Sequence, residues 1–141
     1  MLGDLILEHT GKVASTRLLD SKKDKMENSV MASGKAKGEI DIIVTITYWN
    51  IRCDGGLSYG EGNGQISIRD DSGDGRDVVK VTEYGVGKLY WTKTSWRDTA
   101  FYQTYASNNN NRLSFLHGVV GVFETEVDEL GNVIQKVWEW K

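Results

Sequence analysis

EIDIIVTITYWNI, residues 39–51, is the stretch that decides the fold. Ile40, Ile42, Val44, Ile46 and Tyr48 recur at period two, and Glu39, Asp41, Thr45 and Thr47 alternate with them; Ile43 and Trp49 are the exceptions. Period-two alternation sends successive side chains to opposite faces of a strand. The segment is therefore a strand with one apolar face, and Asp54-Gly55-Gly56 turns the chain after it.

Strands continue outward from this segment. Downstream, Leu57–Arg69, Val78–Trp91, Thr99–Ala106 and Leu113–Asp128 read as strands. Turns are expected at 70–75, at the asparagine run 108–111 and at Leu130-Gly131-Asn132, and Val133–Trp140 closes the chain. Upstream, Asp4–Thr10 and Lys12–Leu19 read as two short strands separated by Gly11. Asp20–Glu27 is a polar loop or short helix, and Asn28–Lys37 a weak, glycine-interrupted strand. No amphipathic helix, internal repeat or domain boundary stands out. The expectation is an all-β chain with residues 1–141 as a single domain. Sequential hairpins predict a closed or nearly closed antiparallel barrel of about eight strands, with a two-sheet sandwich as the other architecture.

Composition agrees. Of 141 residues, 16 are glycine and none is proline, where an ordinary chain has about 7% glycine. Interior glycine weakens helices, whereas twisted sheets and tight turns use it. A chain without proline keeps every backbone donor for the ladder.

Several function classes are excluded as expectations. The formal charge is −3, against the basic face of a nucleic-acid binder. Lys22-Lys23-Asp24-Lys25 carries its own acid and reads as a solvated loop. No apolar run approaches membrane-spanning length, and residues 1–5 lack a basic region followed by an apolar one. The single cysteine, Cys53, fits a reducing, cytoplasmic compartment. It lies beside Asp54, the wrong sign for an activated thiolate. Two histidines, His9 and His117, lack the companions of a zinc site, and a lone strand histidine such as His9 reads as hydrogen-bonded structure. There is no nucleophile elbow and no phosphate-binding loop. Neither a metal nor a cofactor is expected.

Gly60, Gly62 and Gly64 alternate on one strand face, followed there by Ile66 and Ile68; Gly85 and Gly87 repeat the pattern downstream. Such bare faces serve curvature, letting a small barrel coil tightly, or vacancy, leaving room for a ligand. Gly60-Glu61-Gly62-Asn63-Gly64 and Tyr84-Gly85-Val86-Gly87-Lys88-Leu89 together resemble the glycine signature of the allene oxide cyclase and dirigent barrels. The chain also resembles small uncharacterised lipocalin-like prokaryotic proteins, including its ending from Phe123-Glu124 to Trp138-Glu139-Trp140-Lys141. The resemblance spans roughly Gly38 to Lys141. It implies an eight-stranded barrel that binds oxidised lipids or phenolic radicals in its cavity, often as a trimer. In the cyclases a Glu and an Asn two residues apart polarise the epoxide. The matching positions here are in Thr47-Tyr48-Trp49-Asn50, where Asn50 fits the Asn and Tyr48 stands in place of the Glu. The resemblance thus implies the fold and a cavity, and does not carry the cyclisation chemistry.

The leading expectation is a barrel that binds a small hydrophobic or aromatic molecule, lined by Ile42, Val44, Ile46, Tyr48, Trp49, Tyr102 and Trp138. Apolar walls would give affinity and a few polar groups orientation. The rival is a cofactor-free isomerase, cyclase or lyase using Glu61, Asn50 or Tyr84 as its acid/base group. Glu61 lies between two glycines on the face of Tyr59, Asn63 and Gln65. Inside an apolar cavity it could act as an acid or base; outside it is a solvated residue, and the Ile66 and Ile68 face competes for the interior. A third reading is a structural homo-oligomer whose interior is filled by side chains.

Overall fold

The computed structural model describes residues 2–69, 77–89, 93–104 and 112–141, with the side chains of 54, 89 and 93–104 outside that description, and these residues form eight strands. The strands are β1 (Leu2–Asp20), β2 (Lys25–Ala36), β3 (Ile40–Arg52), β4 (Leu57–Ile68), β5 (Val78–Leu89), β6 (Lys93–Thr104), β7 (Val120–Asp128) and β8 (Asn132–Trp140). Each pairs antiparallel with its sequence neighbours, and β1 pairs with β8, so the sheet closes on itself as a meander. Among the described strands, closure leaves no long unpaired edge across the body of the sheet.

Alternation settles what faces inward. In β3 the buried residues are Ile42, Val44 and Ile46; in β8 they are Val133, Gln135 and Val137. The β3–β4 register sets Ile46 opposite Gly64, Tyr48 opposite Gly62 and Asn50 opposite Gly60. The β4–β5 register then sets Gly62 opposite Glu83 and Gly60 opposite Gly85. The apolar face of residues 39–51 is thus an interior wall, and the glycine face of β4 is the adjoining one.

β2 begins at Lys25 and β6 at Lys93, earlier than the expected Asn28 and Thr99, and two further elements depart from the sequence expectation in kind. β1 does not break at Gly11 but runs through it, with a register irregularity between Val13 and Ser15. A Cβ on Gly11 would collide with the Met31 carbonyl and with Ala32, and one on Gly34 with the Glu8 carbonyl. These glycines let β1 and β2 cross closely, so Gly11 serves curvature and not a turn. Leu113–Asp128 is not one strand. Ser114–Leu116 forms a short 3-10 turn, and the strand begins at Val120. Leu113 and Leu116 are fully buried there and pack with Leu7, Ile42, Val79 and Val137. This segment plugs one end of the barrel. Among the described residues, the β1–β2, β3–β4 and β7–β8 connections border the other end. No helix among the described residues is long and apolar enough to cross a membrane.

Candidate functional site

The interior divides into three levels. Below the plug, Ile42 and Val44 are 0% and 1% exposed and belong to solid core. They were expected to line a cavity, but they lie in one buried cluster with Leu113 and Leu116 and do not line the chamber. Above them lies a chamber of about 50 Å³ whose walls include Val30, Ile46, Phe123, Val127 and Val133, with Tyr48, Glu83, Thr125 and Gln135 as the inward polar groups among the described residues. Tyr48 and Val127 also line a wider mouth of about 330 Å³, which adds Met26, Asn28, Asn50, Arg52, Cys53 and Ser58. Of the expected ligand-binding residues, Ile46 and Tyr48 therefore face the chamber.

The polar groups come from facing strands. Glu83 shares its face with Val79, Val81 and Gly87, all buried. Gln135 Nε2 donates across the barrel to Glu83 Oε1 at 3.4 Å. Burial first, and the negative charge of Glu83 second, push the Tyr48 phenol up to about 12. His9, Gln135 and Thr125 form one register row on β1, β8 and β7. His9 is 3% exposed, and its Nδ1 and the Thr125 hydroxyl are buried without a hydrogen-bond partner. Burial alone pushes the His9 imidazole down to about 4, so it is neutral near pH 7. The expected hydrogen bonding of His9 is thus missing at one ring nitrogen. At the mouth, Thr16 donates to Asn28 Oδ1 at 2.7 Å, and Asn28 Nδ2 donates to Asn50 Oδ1 at 3.1 Å.

Glu61, Tyr84, Trp49 and Trp138 do not join this group. Glu61 borders the chamber between Gly60 and Gly62, but its side chain lies on the outer face, where Tyr59 donates to it at 2.9 Å. That bond is the main cause of the raised Tyr59 phenol. Tyr84 sits opposite Glu61 and is 40% exposed. Trp49 packs edge-on to Tyr59 at 5.9 Å with Lys25 over its ring. Trp138 lies between the buried positions of β8, opposite Leu5 and Val122 on the outer surface. The physical reason is shared: each has the parity opposite to the inward residues of its strand. Asn50 has inward parity and reaches the mouth. The Tyr102 side chain lies outside the described residues.

Sequence reasoning missed Glu83, Gln135 and Thr125. The signal for Glu83 is Val79, Val81, Glu83, Gly85 and Gly87 at strict alternation, one charge on an otherwise apolar and bare face. No group of three or more potential metal ligands converges among the described residues.

No family model matches the chain, and no curated protein does. A solved structure is similar. It is the conserved protein of unknown function RPA1785 from Rhodopseudomonas palustris, with a TM-score of 0.70 over 99% of this chain and 97% of that one, at 14% identity. At that identity the likeness shows an all-β fold in common and nothing of activity.

Proposed function

We propose that the barrel binds a small molecule end-on, its polar head in the inner chamber and its apolar or aromatic body in the mouth. The observation that carries this is the funnel itself: a wide polar-rimmed opening narrowing at Tyr48 to a chamber lined, among the described residues, by apolar side chains and a few polar groups. Pockets of that composition orient a ligand by few hydrogen bonds and hold it by apolar burial. The kinship to lipocalin-like and allene oxide cyclase-like barrels, and a cytoplasmic setting, belong to the same proposal.

Cys53 offers the test, because it is the chain's only cysteine and its exposed thiol borders the mouth. Titration with alkyl and phenolic compounds should slow its reaction with a disulfide reagent saturably. Ile46→Trp, which fills the chamber, should abolish that protection. Unchanged thiol kinetics at millimolar ligand would refute the reading. An inward carboxylate favours a second reading, a cofactor-free isomerase or lyase. In it Glu83, beside Tyr48, takes the acid/base role that the sequence reading left among Glu61, Asn50 and Tyr84.

A further inference from the structure

We infer that the outer face of β2–β5 carries a second binding site, a shallow groove across the strands that takes a neutral oligosaccharide. The register builds the groove. Ser29, Thr47, Asn63 and Thr82 stand in one row across the four strands, and Met31, Thr45, Gln65 and Lys80 in the next. All have the parity opposite to the buried Val30, Ile46, Ile66 and Val81, so they face outward. A depression of about 580 Å³ lies over these two rows. Along one side runs a taller row, Glu27, Trp49, Glu61 and Tyr84. Strands lie about 4.8 Å apart and rise about 3.4 Å per residue, so the two rows cover roughly 14 Å across the strands and 7 Å along them. That is a strip one sugar ring wide and about three rings long. Ser29, Thr47 and Asn63 are separated from β6 by β5, so the strands beside them are all described.

The chemistry of the strip selects the occupant. Apart from Met31 and Lys80, its side chains are hydroxyls and primary amides. Such groups both donate and accept, as sugar hydroxyls do. Thr82 donates to Asn63 Oδ1 at 3.4 Å, and the side chains of Ser29, Thr45, Thr47 and Gln65 make no hydrogen bond within the chain. Charge disfavours an ionic chain of either sign. A polyanion would run beside Glu27 and Glu61, and a polycation would meet Lys80. An extended peptide binds a sheet through an open edge, and each of these strands is paired on both sides. The taller row adds apolar surface for the C–H faces of a sugar ring. Tyr84 is 40% exposed there, and Trp49 packs edge-on to Tyr59 at 5.9 Å. Aromatic rings with one side apolar and one wet suit such contacts.

The experiment titrates the intact chain with the hexasaccharides of cellulose, xylan, mannan and chitin, and with hexagalacturonate as the charged control. The readout is the side-chain amide NMR signals of Asn63 and Gln65 in the groove against those of Asn28 and Asn50 at the barrel mouth. At least one neutral hexasaccharide should shift Asn63 and Gln65 saturably and leave Asn28 and Asn50 in place. Hexagalacturonate should bind at least about tenfold more weakly. Asn63→Ala, checked for folding by circular dichroism, should weaken the neutral ligand about fivefold to tenfold. No shift of Asn63 and Gln65 by any neutral hexasaccharide at millimolar concentration overturns the inference. So do shifts confined to Asn28 and Asn50, which would assign the sugar to the mouth, and equal binding of hexagalacturonate, which would remove its neutrality. These comparisons use the wild-type chain and decide even if Asn63→Ala misfolds. The groove lies outside the barrel, so its failure leaves the end-on reading and the Cys53 test untouched.

Discussion

Replacing His9 by leucine should flatten the acid limb of the stability curve. The imidazole is 3% exposed, and burial lowers it from 6.5 to about 4. The groups facing it in register are Gly34 on β2 and Gln135 on β8, neither of which titrates. As pH falls through about 6.5 the unfolded chain binds a proton that the folded chain refuses until about 4, so stability is present above that window and lost within it. The shift corresponds to about 3 kcal/mol in full, and to roughly 2–3 kcal/mol by about pH 4.5. Urea unfolding of both proteins at about pH 7.5 and 4.5 measures it. Carboxylates titrate alike in wild type and His9→Leu, so their share cancels in the difference. With a slope of about 2 kcal/mol per M, the wild-type midpoint should drop by roughly 1 M more than that of the variant. Parallel losses in the two proteins would show that His9 protonates freely in the folded state, and the buried placement would be wrong.

Gly64→Ala should cost about 1–3 kcal/mol, because a Cβ there would run into the Thr45 carbonyl and the Ile46 side chain; an unchanged urea midpoint would contradict that close crossing. Leu116→Ala should cost about 2–5 kcal/mol, since the side chain is fully buried in the plug; a loss under about 1 kcal/mol would mean the plug is not part of the core.

The fold was legible because its signal is local. Ile40 to Tyr48 alternate without interruption, and Asp54-Gly55-Gly56 and Leu130-Gly131-Asn132 mark turns with residues that tolerate the required geometry, as at Gly55 (φ 77°) and Gly131 (φ 81°). The failures came where a tertiary approach overrode local chemistry. Gly11 looks like a break, yet it is where β2 crosses too closely for any side chain. Leu113, Phe115 and Leu116 look like the start of a strand, yet they fold over a barrel end and use their apolar surface as a lid. Burying two leucines is worth about 1.5–3 kcal/mol each, enough to outweigh a weak strand preference.

The site was legible only in part, for a reason of parity. Each strand's alternation is plain, but which parity faces inward must be handed from strand to strand through the register. On β3 and β4 the apolar residues decide it, and Glu61 falls outside as Ile66 and Ile68 suggested. On β8 the aromatic Trp138 and Trp140 compete with Val133, Gln135 and Val137, and the smaller set faces inward because the chamber must also hold Phe123. On β5 the inward set contains Glu83, which hydropathy alone would send to solvent. A carboxylate in an apolar wall is unfavourable for folding unless it is well partnered. A valine at 83 would continue the face of Val79 and Val81 without that penalty. Glu83 interrupts that face beside Tyr48 at the throat of the funnel, where Gln135 donates to it. That is the position from which a carboxylate can meet a ligand entering from the mouth, and it is why Glu83, more than Glu61, is the residue on which a test of function should turn.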